Sequence, residues 1–289
     1  MKQVQHVLTL PPLPSRPEEG HKGTFGHVLI LAGSRGMSGA AVLCGVSALR
    51  GGAGLVTVGV PSGIQTVVSA AEPSYLTMVL PEGAGGGVEA SARGVLEGVL
   101  TRYRGVGVGP GWGQSEATGE LARWLFASCP VPLVVDADAL NVLGVKLPER
   151  SEVAPRIMTP HPGEFGRLTG KTTQEIQADR EELAVEYARA NRVVLLLKGA
   201  RTIVTDGERL AINTTGNCGM GTGGCGDVLT GLITALVGQG MGAFEAAQLG
   251  AHLHGLAGDL AAHELSKPGL IASDLPRYLC RAWLQVGAN

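Results

Sequence analysis

Between residues 216 and 239 the chain reads GNCGMGTGGCGDVLTGLITALVGQ, a glycine-dense loop that delivers Asp227 into the first turn of an apolar helix. Glycines lack Cβ, so successive backbone N–H groups can converge on one point, and the positive end of the helix adds to their pull; such a loop suits phosphate. A carboxylate in that place has two readings. It caps the helix and complements its dipole, or it stands beside bound phosphate with a metal ion or a substrate hydroxyl between them, the arrangement for phosphoryl transfer to an alcohol.

Other residues could extend that chemistry. Lys198, Gly199, Ala200, Arg201 and Thr202 follow the apolar run VVLLL. A lysine and a threonine flanking a glycine turn can clasp a phosphate, although a solvated hairpin turn has the same composition. TPHPGEF places His161 and Glu164 at the start of a helix opened by Pro162. They serve either as helix punctuation or as a hydrogen-bonding His161 and a Glu164 that holds hydrated Mg²⁺ in its outer shell. In DADALN, Asp138 reads as the cap of the following helix, and Asp136, nearer the strand end, as facing a cleft. GVGVGPGWG offers backbone donors beside Pro110 to a flat ligand, or a plain strand-ending turn. His252 and His254 are two apart and point to different sides of a helix, which excludes the i, i+4 zinc pair; one is expected to pack inside. Cys218 and Cys225 lie in the glycine loop without an identifiable base partner, so small-residue packing is expected of them.

These residues need elements to hold them. Short apolar runs GHVLILAG, LVTVGV, YLTMVL, GVGV, PLVV and RIM alternate with small-residue or amphipathic helical segments, the signature of β-α-β units and a mostly parallel sheet covered on both faces. Residues 173 to 192 read as one charged surface helix. VVLLLKGARTIVTDGERLAINTT then reads as three strands with an Asp-Gly hairpin turn, antiparallel strands that would close one edge of the sheet. Two small-residue helices, 227 to 238 and 242 to 264, and a C-terminal helix complete the pattern. Polar and glycine-rich punctuation falls at the strand ends, where open α/β sheets bind ligands. There is no GxGxxG after the first strand and no GxxxxGK[ST], which weakens dinucleotide-fold and Walker readings. Residues 1–20 form a lead-in and 21–289 a single domain.

Composition narrows the class. With 23 Lys and Arg against 25 Asp and Glu, the formal net charge of −2 makes no electrostatic case for nucleic acid or an anionic membrane. Aromatic residues at 4% supply no base-stacking platform. Five cysteines without a C-x-x-C pair suggest neither a disulfide framework nor zinc and fit a reducing compartment. No run approaches the ~20 apolar residues of a membrane span, and the first residues lack a signal-peptide core. The expectation is a cytoplasmic protein.

Taken together, GHVLILAGS, SGAAVLCGVSALRGGAGLVTV, GVGPGWG, VVDADALNVL, MTPHPGEFGRL, LLLKGARTIV, GNCGMGTGGCGDVLTG and HLHGLAGD resemble the ADP- or ATP-dependent NAD(P)H-hydrate dehydratase family, in order from about residue 20 to the C-terminus. The GxGD-type loop is shared across ribokinase-like kinases, and HPGE is the more discriminating element. The resemblance implies a ribokinase-like three-layer α/β/α sandwich with a mostly parallel sheet and antiparallel edge strands. It also implies a repair lyase that returns the (6S) hydrate of NADH or NADPH to the reduced cofactor, spending ADP or ATP with Mg²⁺. By the same resemblance, Asp227 takes the proton of the substrate hydroxyl, and Gly224, Cys225 and Gly226 donate N–H groups to the transferred phosphoryl. Lys198 to Thr202 hold the nucleotide, Ala41, Gly111 and His161 contact the hydrated nicotinamide, and Glu164 helps order Mg²⁺. Cys218 stands where the family often has proline and Cys225 where Ser or Thr is usual; the backbone donors survive both. A homo-oligomer, tetrameric by family analogy, and a separate epimerase protein are further implications. Stand-alone members resemble ADP users. A kinase of a small alcohol would use the same loop, and a nucleotide sensor would bind without turnover.

Overall fold

A computed structural model, describing residues 4–151 and 154–287, shows why the apolar runs alternate as they do. The strands are β1 (Gln5–His6), β2 (His27–Leu31), β3 (Leu55–Pro61), β4 (Leu76–Leu80), β5 (Gly105–Val108), β6 (Leu133–Val135), β7 (Arg156–Met158), β8 (Val194–Leu197), β9 (Ile203–Thr205) and β10 (Arg209–Ile212). They form one sheet in the order β1-β10-β9-β8-β7-β6-β5-β2-β3-β4. Neighbours from β4 through to β8 pair in parallel, β9 is antiparallel to both β8 and β10, and β1 pairs in parallel with β10. The antiparallel strands expected from residues 193–215 therefore lie near the edge. The lead-in adds β1 outside them.

The helices are α1 (Ser38–Arg50), α2 (Gln65–Ala71), α3 (Ala92–Glu97), α4 (Glu116–Ser128), α5 (Ala137–Leu143), α6 (Pro162–Thr169), α7 (Thr173–Ala178), α8 (Arg180–Asn191), α9 (Cys225–Gly238), α10 (Ala243–Leu265) and α11 (Leu275–Gln285). They cover both faces. Successive strand side chains point to opposite faces: Leu29 and Leu31 pack in one core with Leu125, Phe165 and Ala188, while Val28 and Ile30 pack in another with Ala41, Cys44 and Ala48. Residues 173–192 are two helices rather than one. Asp179 breaks them at φ −133 and ψ 44, outside helical geometry.

Small residues are used inside the fold. A Cβ on Gly231 of α9 would overlap the Cys44 carbonyl of α1, and one on Gly250 of α10 would sit 2.6 Å from Ile233. The absence of side chains at these points is what lets α1, α9 and α10 pack so closely. Among the described residues no helix is long and apolar enough to cross a membrane.

The chain runs β2, β3, β4 in one direction and then returns to lay β5 on the other side of β2, so the sheet's switch point lies between β2 and β5. Open α/β sheets bind ligands in the crevice at such points. The loops leaving β2 and β5 are stitched together there: Gly33 N–H donates to the Pro110 carbonyl at 2.8 Å, and Ser34 Oγ–H to the Gly111 carbonyl at 2.9 Å.

Candidate active site

Asp227 sits in the first turn of α9, whose N-cap, Gly224, has φ +96. That left-handed backbone favours glycine, and a Cβ there would meet Leu43 and Ala272. The helix is apolar because it packs against the sheet, yet its first turn is open, so backbone N–H groups and a carboxylate face the cleft together. The loop before it is anchored from α10. Asp259 accepts from Gly216 N–H at 2.8 Å and from the Asn217 side-chain amide at 2.9 Å, and Gly255 leaves room for Thr215. His254 donates Nε2–H to the Cys225 carbonyl at 2.8 Å, and desolvation holds its pKa down at about 4, so it serves as the partly buried, satisfied histidine. The HLHGLAGD segment thus shapes the loop. The Cys44 thiol donates to the Asp227 carbonyl at 3.0 Å, tying α1 to the same turn.

Three strand ends bring charge to this turn. Asp136, 1% exposed after β6, accepts from Lys198 Nζ at 2.7 Å and from Thr230 Oγ1 at 2.7 Å. Lys198, after β8, also lies 3.7 Å from Glu164 Oε2. A Cβ on Gly226 would be 3.3 Å from Lys198 Nζ, so the ammonium lies directly beneath the glycine loop. Lys198 thus reaches inward, away from the exposed turn that follows it. Burial first, then the Asp136 carboxylate, with smaller contributions from Asp138 and Glu164, raise the Asp227 carboxyl to about 7 against the opposing pull of the Lys198 ammonium. A carboxyl with a pKa near neutrality in a cleft is suited to act as a general base.

His161 and Glu164 form a reciprocal cap on α6. Nδ1 of His161 accepts from Gly163 N–H and Glu164 N–H, and Glu164 Oε2 accepts from His161 N–H at 2.8 Å. Because Nδ1 is the acceptor, the neutral ring carries its hydrogen on Nε2, which lies 3.5 Å from Glu164 Oε1. The punctuation reading is thus realised, with a donor left at the cleft by the half-exposed imidazole. Asp138 departs from expectation. It does not cap α5; it lies inside the helix and accepts from Gly113 N–H at 2.8 Å and the Gln114 amide at 2.9 Å. Its carboxylate fixes the loop after β5.

The remaining positions fall around this centre. Gly111, at φ +59, is partly exposed on the β5 loop, and Ala41 is fully buried with its methyl under Gly33. Gly199, Ala200 and Arg201 are exposed on the rim, and Thr202 Oγ1 donates to the Gly199 carbonyl at 2.9 Å, so its hydrogen is used within the turn. Cys225 is buried and Cys218 exposed. Thr230 and Asp259 had no assigned role in the sequence; a polar residue one turn into an apolar helix after the glycine loop was the available sign for the first.

Residues 28–281 match the family described as NAD(P)H-hydrate dehydratase. The bifunctional NAD(P)H-hydrate repair enzyme Nnr of Moorella thermoacetica is 46% identical over 270 residues, 92% of this chain and 51% of that protein. The chain spans about half the length of such curated relatives. The ADP-dependent (S)-NAD(P)H-hydrate dehydratase of Bacillus subtilis is 37% identical over 276 residues, 94% of each chain. A crystal structure of the Bacillus subtilis ADP/ATP-dependent NAD(P)H-hydrate dehydratase, co-crystallised with ATP/Mg²⁺, is similar with a TM-score of 0.81 at 32% identity over 94% of each chain.

Proposed function

The chain belongs to the NAD(P)H-hydrate dehydratase family, and on that premise we propose that it repairs the (6S) hydrates of NADH and NADPH, spending ADP or ATP and releasing phosphate. The observation that carries this reading is Asp227 beside the open amides of α9, above the Lys198–Asp136–Glu164 cluster.

Hydroxide is a poor leaving group, and the chemistry turns it into a good one. Asp227 takes the proton of the substrate hydroxyl as its oxygen attacks the terminal phosphorus of the nucleotide, and the bond from that phosphorus to the nucleotide's bridging oxygen breaks, releasing AMP or ADP. The amides of Gly224, Cys225 and Gly226 face the charge that develops on the transferred phosphoryl. The ring nitrogen then drives out phosphate from the adjacent carbon, and loss of a proton from the neighbouring carbon restores the double bond of the dihydronicotinamide. The loops after β2 and β5, with Ala41 beneath and Gly111 above, would seat the nicotinamide, with His161 Nε2–H as a donor to it. The turn of Gly199 to Thr202 would hold the nucleotide, and Lys198 would act from below.

Among the described residues no three His, Cys, Asp or Glu side chains are grouped to hold a metal ion. Glu164 has one oxygen occupied by His161 N–H and a lysine 3.7 Å away. That donor set fits Mg²⁺ carried by nucleotide phosphates and keeping its waters, with Glu164 accepting from one of them. Bound there, the ion would offset charge on the phosphates.

The same reading puts the protein in the cytoplasm with an ADP preference. It also makes the protein a homo-oligomer, tetrameric by analogy, which light scattering of the purified protein would check. The test is recovery of NADH absorbance from its hydrate, run in parallel with ADP and ATP and with Mg²⁺ withheld. Absorbance that appears only with nucleotide supports the reading. Stable phosphorylation of a small alcohol without NADH recovery would replace it by the kinase reading, and binding without turnover by the sensor.

A further inference from the structure

Arg180 opens α8 immediately after the break at Asp179. Its guanidinium grips the turn after β8: Nη1 donates to the Ala200 carbonyl at 2.7 Å, and Nη2 to the carbonyls of Leu197 at 3.3 Å and Lys198 at 3.2 Å. The Gly199 carbonyl is taken by Thr202. Every carbonyl from 197 to 200 is therefore committed within the turn.

The amides behave in the opposite way. In a trans peptide the N–H points away from the preceding carbonyl. Lys198 N–H follows that rule, donating to the Pro160 carbonyl at 2.8 Å on the α6 side of the turn. By the same geometry the N–H groups of Gly199 and Arg201 point away from Arg180, and neither has an acceptor among the described residues. Gly199 at φ +137 and Arg201 at φ +57 supply the left-handed backbone that lets neighbouring amides converge. Burial lowers the pKa of Arg180 from its ordinary value, and its buried Nε has no acceptor among the described residues. A partly desolvated cation satisfied by peptide carbonyls polarises those peptides, and the positive ends of the dipoles emerge on the far side.

We propose that Arg180 is the positioning residue of the nucleotide turn, holding its carbonyls inward so that the amides of Gly199 and Arg201 face nucleotide phosphate. It acts through the turn and touches no substrate. Lysine cannot replace it, because an ammonium does not present donors as a planar fork to three carbonyls at once.

The inference rests on the nucleotide reading of the turn, so three variants are compared in ADP titration calorimetry and in NADH recovery from its hydrate. Arg180→Lys and Arg180→Gln should raise the Kd and KM for ADP about tenfold. In both, kcat at saturating ADP and KM for the hydrate should stay within about twofold of wild type. Gly199→Ala, which strains the turn directly, should weaken ADP as well. If Gly199→Ala binds ADP as wild type does, the nucleotide reading of the turn fails. If it weakens ADP while both Arg180 variants do not, the role of Arg180 fails alone. Loss of folding in both Arg180 variants, or a fall in kcat with KM for ADP unchanged, overturns the assignment in favour of a structural or catalytic role.

Discussion

Replacing Asp227 by asparagine keeps the shape of the side chain and removes both its basicity and its charge, so one substitution tests the chemistry and the electrostatics together. A positioned general base contributes about 10²- to 10⁴-fold. Turnover should fall by that factor, while ADP still binds within about twofold, because the lost interaction belongs to the transition state. In the wild type the carboxyl titrates at about 7, so kcat/KM should rise tenfold per pH unit below that value and level off above it. The same shift has a stability sign. From about pH 4 to pH 7 the folded protein keeps a proton that the unfolded chain has already released, so stability falls as pH rises, and the deficit is complete above pH 7. At about 1.4 kcal/mol per pKa unit the ceiling is about 4 kcal/mol. Solvent in the cleft reduces this to about 2 kcal/mol. An uncharged amide at this position escapes that deficit. The variant should therefore melt roughly 5 °C higher than wild type near pH 8 and show no gain near pH 4. His254 works the other way, losing stability as pH falls from about 6.5 to about 4, but both proteins share it and it cancels in the difference. Calorimetric melts across pH, paired with NADH recovery, read both effects. Equal turnover would refute Asp227 as base, and a stability gain independent of pH would refute the buried-carboxylate argument.

Other perturbations should move in stated directions. Asp136→Asn removes the nearest like charge and should lower the pH midpoint of kcat/KM by about one unit, while Lys198→Met should raise it by a similar amount; shifts in the same direction would count against the cluster as described. Gly231→Ala places a methyl against the Cys44 carbonyl, so the melting midpoint in denaturant should fall by an amount worth about 1–3 kcal/mol. An unchanged midpoint would mean that α1 and α9 are not packed as described. His161→Ala loses the α6 cap, costing about 1 kcal/mol, and should raise KM for the hydrate without raising KM for ADP; the kinetic half of that prediction distinguishes a ligand contact from a cap.

Much of the fold could be read locally. The alternation of apolar runs with small-residue segments specifies β-α-β units because side-chain period and turn chemistry are properties of a few consecutive residues. The hairpin between β9 and β10 follows from Asp206 and Gly207, whose φ of +90 a glycine adopts easily. The break at Asp179 was not legible, because it occurs within a segment whose charge pattern suits one continuous helix. Nor was the behaviour of Asp138, which has the composition of a cap but is claimed by Gly113, 25 residues away.

The glycine loop, the carboxylate in the first turn after it and the clasp at residues 198–202 all stood in the sequence, together with two open readings for each. Tertiary structure decided which side chains share the site. Asp136 and Lys198 are 62 residues apart, Arg180 and the Ala200 carbonyl 20, and Gly216 and Asp259 43. Strand order brings the first pair together, a helix laid beside a strand the second, and the packing of α10 the third. Local preference is set over a turn or two of backbone, whereas the pKa of Asp227 depends on partial burial and on charges delivered from separate strands and helices. A sequence can place a carboxylate at a helix N-terminus; only the packed sheet raises its pKa toward neutrality.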